Sequence, residues 1–146
     1  EFESLSPSEF PNNIDVRHTA KVAGSYDLYD FKFAMGFNWH TGKPFTTPIA
    51  GEMFIIEDGV PLIQFNRLNE QRLPDYFRVD VSAEYLWRIS TGVEAKINLA
   101  LLNLLDRQNT LNIRYVHKID DDDILVNRIE ELSLGFTPNL SIQVLF

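Results

Sequence analysis

Period two organises much of this chain. Ala20, Val22, Gly24, Tyr26 and Leu28 form an apolar face against Thr19, Lys21, Ser25 and Asp27, the alternation of a strand whose two sides meet different surroundings. Tyr29-Asp30 reads as a tight turn. Beyond it, Phe31, Phe33, Met35, Phe37 and Trp39 alternate with Lys32, Ala34, Gly36, Asn38 and His40. A third run sets Phe77, Val79, Val81, Ala83, Tyr85 and Trp87 against Arg78, Asp80, Ser82 and Glu84. After the turn Ser90-Thr91-Gly92, a fourth opposes Val93, Ala95, Ile97, Leu99 and Leu101 to Glu94, Lys96, Asn98 and Ala100. Extended sequence is expected to carry this strand on through Ile113, Tyr115 and Val116. The last segment, from about Leu125, closes with Leu140, Ile142, Val144 and Phe146 against Asn139, Ser141 and Gln143.

The strands are rich in Val, Ile, Phe, Tyr and Trp, and a repeat of two excludes a local helical reading, so the class is all-β and antiparallel. Between them, residues 41–75 contain Gly42, Pro44, Pro48, Gly51, Gly59, Pro61 and Pro74 and predict one long connection. Asp120–Asp123 predicts a charged loop, and residues 5–17, with Pro7, Pro11, Asn12 and Asn13, another. Connections thus alternate short and long. A soluble sandwich and a membrane barrel share the alternation. Two features favour lipid against the apolar face. Each face runs nearly unbroken for about ten residues, the length of a tilted spanning strand, and Tyr26, Trp39, Tyr85, Trp87 and Tyr115 fall near expected strand ends, where interfacial aromatic girdles lie.

Composition narrows the choice further. Of 146 residues 45% are hydrophobic, which by itself permits an ordinary core. The absence of cysteine excludes disulfides, Cys-based zinc sites and thiol nucleophiles. A net charge of −8 argues against nucleic acid as a partner, since phosphate affinity is carried by clustered Lys and Arg. No run of 18 or more uncharged apolar residues allows a transmembrane helix, which leaves barrel strands untouched because their lipid-facing positions alternate. Glu1-Phe2-Glu3-Ser4 has neither a basic nor an apolar region of a signal peptide and reads as chain joined in mid-element.

Several strings together resemble the final strands of TonB-dependent outer-membrane receptors, in the style of Bacteroidetes members. They are NNIDVRHTAKVAGSYDL (12–28), FNWHTGKPFTTP (37–48), RLPDYFRVDVSAEY (72–85), INLALLNLLDRQN (97–109) and LSIQVLF (140–146). The resemblance implies that residues 1–146 are the C-terminal part of an antiparallel transmembrane β-barrel, about the last five strands of a 22-stranded one. It also implies a plug and earlier strands not contained in this sequence. The implied function is import of a scarce solute, a siderophore, vitamin, glycan or peptide, across the bacterial outer membrane. Implied partners are the remainder of the barrel, as the same or another chain, TonB acting through the plug, the β-barrel assembly machinery, outer-membrane lipid and a surface lipoprotein. Five strands alone would leave two open edges, which lipid does not tolerate.

Single residues weigh differently. Phe146, a terminal aromatic ending an alternating strand, resembles the assembly signal of such barrels. Arg78, Asp80 and Glu84 share the polar face of one strand and His40 ends another. They are candidate ligand contacts facing the lumen, with a network of compensating charges as the plainer reading. Glu94, Lys96 and Asn98 are expected opposite them. Gly42-Lys43-Pro44 lacks the flanking residues of a P-loop. Asp120–Asp123 lacks the spaced ligands of a calcium loop, and His18, His40 and His117 are scattered, so no metal site, cofactor or catalytic residue is expected. Asn103 and Asp106–Asn109 interrupt the fourth strand, and the resemblance at LNLLDRQN implies a bulge or a strand leaving the bilayer, a structural feature. Three alternatives to transport stay open: an outer-membrane barrel enzyme, a soluble all-β binding module, and a subunit of a larger envelope assembly.

Overall fold

The computed structural model describes residues 11–51, 53–120 and 123–146, and their regular structure is all strand, with antiparallel pairing throughout. In chain order the strands are β1 (Thr19–Leu28), β2 (Phe31–His40), β3 (Pro44–Phe45), β4 (Phe54–Glu57), β5 (Val60–Ile63) and β6 (Gln71–Arg72). They continue as β7 (Tyr76–Ser90), β8 (Val93–Leu102), β9 (Thr110–Asp120), β10 (Asp123–Leu132) and β11 (Thr137–Leu145). The chain divides into two compact units.

One unit holds residues 18–40, 75–109 and 133–146 and contains a five-stranded sheet in the order β1-β2-β7-β8-β11. Register carries the period-two pattern across every strand. Gly24 pairs with Met35, Met35 with Val81, Val81 with Leu101 and Leu101 with Pro138. The next apolar row is Tyr26, Phe33, Ala83, Leu99 and Leu140, and the next Leu28, Phe31, Tyr85, Ile97 and Ile142. The intervening rows are polar or small: Ser25, Ala34, Ser82, Ala100 and Asn139, then Asp27, Lys32, Glu84, Asn98 and Ser141. Because side chains alternate strictly, this register places the apolar rows on one side of the sheet, while Leu86, Leu102 and Leu145 fall on the other.

That apolar side is largely uncovered, with Val79 and Ala95 on it buried. Val22 is 67% exposed, Met35 56%, Leu140 65% and Ile142 65%, and the terminal Phe146 is 99% exposed. Among the described residues the buried apolar side chains are Leu73, Val79, Ala95 and Ile113, far short of the continuous core that holds a soluble β-sandwich together. β1 and β11 each pair on one side only, so the described sheet is open.

The two tight turns lie at one end of this sheet, as the sequence predicts. At the first, Tyr29 adopts φ 54°, while Asp30 accepts the Leu86 N–H at its carbonyl (2.8 Å) and pairs through its carboxylate with Arg88. The second follows Ser90. Aromatic side chains gather towards that end: Phe31 lies 5.9 Å from Phe33 and 4.7 Å from Tyr85. At the opposite end Phe37 meets Phe77 edge-on at 5.2 Å.

The other unit contains residues 41–74 and 110–132 and the described part of 1–17. Here three expectations are corrected. Residues 41–75 are not one irregular connection: β3 pairs with β6, and β4 with β5 across Asp58-Gly59, whose φ values of 50° and 78° suit a hairpin turn. The fourth strand does not run to Val116. It stops at Leu102, and β9 begins a hairpin with β10, so Tyr115 belongs to that hairpin rather than to a girdle on the sheet. The segment from Leu125 to Phe146 is two strands, β10 and β11, separated by residues 133–136. Asp121 and Asp122 of the acidic loop, and residues 5–10 of the upstream one, lie outside the described residues.

Candidate functional site

The polar face of the five-stranded sheet gathers the sequence-derived candidates onto one surface, spread along it rather than focused. His40 ends β2, in register with Thr19 and Tyr76, and its ring stacks on Tyr76 at 4.8 Å and 4°. Arg78 stands opposite Asn38, and its Nε donates to Asp80 Oδ1 at 2.7 Å. The same oxygen accepts the Asn103 N–H at 2.8 Å. Glu84 lies between Lys32 and Asn98, with Arg88 opposite Glu94 and Leu86 opposite Lys96. Of Glu94, Lys96 and Asn98, only Asn98 stands directly opposite a carboxylate of β7, that of Glu84. At about 3.3 Å per residue, Tyr76 and Glu84 are roughly 26 Å apart along the strand, so His40, Arg78, Asp80 and Glu84 do not converge on a common point.

The chemistry of this face is that of a wall. Arg78 and Asp80 neutralise each other, and Asp80 also terminates β8. Between the rows containing Arg78 and Glu84 runs a trough of small side chains, Ala23, Ser25, Ala34, Gly36, Ser82 and Ala100. Beside it Asn38 Oδ1 is buried without a hydrogen-bond partner among the described residues. Such an acceptor is costly to leave empty. Among the described residues no three His, Asp or Glu side chains are arranged to hold a metal ion.

Sequence reasoning located the interruption at Asn103–Asn109 but not its construction. Asn103 and Asn109 are the buried polar residues, 2% and 3% exposed. Where β8 departs, Asn109 takes its place beside β7. Its Oδ1 accepts the Phe77 N–H (2.9 Å) and its Nδ2 donates to the Phe77 carbonyl (2.9 Å), the two-bond exchange of an antiparallel residue pair. Asn103, at φ 52°, donates from Nδ2 to the carbonyls of Arg107 (3.0 Å) and Leu134 (2.9 Å). Asp106 Oδ1 accepts the Phe136 N–H at 2.7 Å. Asn109 and Ser133 close the neck, Ser133 donating its N–H to the Asn109 carbonyl (2.8 Å) and accepting the Asn109 N–H at Oγ (3.0 Å). Arg107 donates to the Asp75 carbonyl (2.9 Å) and lies 5.8 Å over the Phe77 ring. The signal was present as the polar string Asp106-Arg107-Gln108-Asn109 after an apolar strand, though nothing local says which carbonyls it serves.

Comparison with protein-family models, with curated proteins and with solved structures finds no match.

Proposed function

We propose that this chain is a stretch of wall, with its surface loops, in an outer-membrane β-barrel transporter of the TonB-dependent receptor type. The observation that carries the reading is the largely uncovered apolar face, continuous in register over five strands and opposed by a polar, small-residue face. In water, each large apolar side chain left exposed forgoes roughly 1.5–3 kcal/mol of burial. Hydrocarbon removes that penalty for the whole face together. Strands β1, β2, β8 and β11 have 10, 10, 10 and 9 residues, matching the span of a tilted transmembrane strand. Short turns at one end and long connections at the other agree with periplasmic turns and extracellular loops.

On this reading the polar face with His40, Arg78, Asp80 and Glu84 lines the lumen, and Phe146 ends the last strand as an assembly signal. Residues 41–75 and the β9–β10 hairpin contribute to the outer vestibule. The open edges of β1 and β11 are met by further strands of the same barrel, on the same or another chain. The activity is solute import rather than catalysis.

The test is fractionation of the natural polypeptide that carries this sequence, with its intact mass. Recovery in outer membranes after an alkaline wash, with heat-modifiable mobility and a mass that accommodates a plug and further strands, supports the proposal. Recovery as a monodisperse species without detergent overturns it in favour of a soluble all-β module.

A further inference from the structure

The unit containing residues 41–74 also holds a cleft of about 300 Å³ between the segment Pro11–Arg17 and residues 67–72. Its walls are stitched at both ends. Asn69 Nδ2 donates to the Pro11 carbonyl at 2.6 Å. Arg72 Nη1 donates to the carbonyls of Asp15 and Gly42, each at 3.0 Å, while its other terminal nitrogen pairs with the Asp15 carboxylate. Asn69 is itself fixed, its N–H donating to Thr46 Oγ1 at 3.0 Å. None of these bonds involves Arg17 or Arg67, which also line the cleft.

Those two arginines stand apart in this molecule. Of the eight, Arg72, Arg78, Arg88, Arg114 and Arg128 pair with carboxylates and Arg107 binds a backbone carbonyl. Among the described residues Arg17 and Arg67 have no such partner, and both line this one cleft. With Arg72 neutralised by Asp15, the lining charge is two guanidinium groups against the Glu70 carboxylate, an excess of one positive charge in a chain of net −8. Guanidinium groups present planar forks of donors that match carboxylate and phosphate oxygens.

We propose that this cleft binds a small solute through a carboxylate or phosphate group, held by Arg17 and Arg67 against a frame fixed by Asn69 and Arg72. The volume suits a compact anion at the lower end of small-molecule sites. The inference goes beyond the transport reading and does not depend on it, because every residue involved lies outside the five-stranded sheet.

Calorimetric titration of the natural polypeptide with citrate and with inorganic phosphate tests it, with phosphatidylglycerol vesicles as a third arm. Saturable binding of either free anion is expected. Arg17→Ala and Arg67→Ala should each weaken it roughly tenfold or more, and Arg67→Lys less, since lysine retains the charge but not the fork. Both arginines are exposed, and unchanged melting temperatures would show that the variants fold. Three results overturn the proposal: no saturable binding of either free anion, binding to vesicles alone, or binding that survives both alanine variants unchanged.

Discussion

Strands β1 and β2 and the hairpin β4–β5 are made of comparably apolar sequence, yet only the first pair sorts it by side. In β1–β2 every large apolar residue of the two strands meets an apolar residue or glycine, and Lys21, Asp27 and Lys32 lie on the opposite surface. In β4–β5, Phe54 pairs with Ile63 and Ile56 with Pro61 on one side, Ile55 with Leu62 on the other, and Ile55, Ile56, Val60 and Leu62 are all exposed. The difference teaches what alternation reports. It appears where the two sides of a strand carry different residues over its full length within a wide sheet, and it vanishes in a short two-stranded hairpin.

Arginine substitution gives the largest effect. On the proposed barrel reading, arginine at Val81 or Leu99, mid-strand on the apolar face, should destabilise the protein in lipid by about 2–4 kcal/mol. Arginine at Ser82 or Ala100, one residue away on the polar face, should cost much less. Urea unfolding in lipid vesicles measures both, and equal tolerance at the four positions would erase the distinction between the faces.

A second contrast lies at the neck where β8 leaves the sheet. Asn109→Ala removes the side chain that substitutes for a strand partner of Phe77, and leaving that backbone unpaired should cost about 1–3 kcal/mol. Asn109→Asp keeps the acceptor for the Phe77 N–H and loses both donated bonds, so an intermediate loss in urea midpoint is expected. No change in either variant would mean the neck does not hold β7 in place.

In the other unit the tightest point is Gly42, where an added Cβ would fall 1.6 Å from the Leu73 carbonyl oxygen. Gly42→Ala must force the two backbones apart, at a cost of about 1–3 kcal/mol. Its readout is faster hydrogen exchange at the Leu73 N–H, which donates to the Lys43 carbonyl at 2.9 Å. Sheet amides such as that of Met35 should be unaffected if the two units open separately. The smallest effect belongs to Arg88→Ala. Its ion pair with Asp30 is solvent-exposed, so a loss of less than about 1 kcal/mol is expected in the same urea assay.

The sequence by itself determined the all-β class, the five strands of the sheet, the side on which each residue lies, and the two tight turns. These are local consequences of a period of two, and each can be checked against its own neighbours. It also placed Arg78, Asp80 and Glu84 on one surface, because residues two apart on a strand share a side. Tertiary structure decided where the strands stop and what replaces them. Asn103 and Asp106–Asn109 mark an interruption after Leu102 in the sequence but not how it is built. β8 ends there because Asp80 captures the Asn103 N–H and Asn109 occupies the ladder beside Phe77, contacts 23 and 32 residues away in the chain. The strands within residues 41–75 were hidden for the same reason: β3 and β6 are two residues each, too short for any period. The convergence of Arg17 and Arg67 on one cleft was equally illegible, since 50 residues separate them and the bonds Pro11–Asn69 and Asp15–Arg72 bring their segments together.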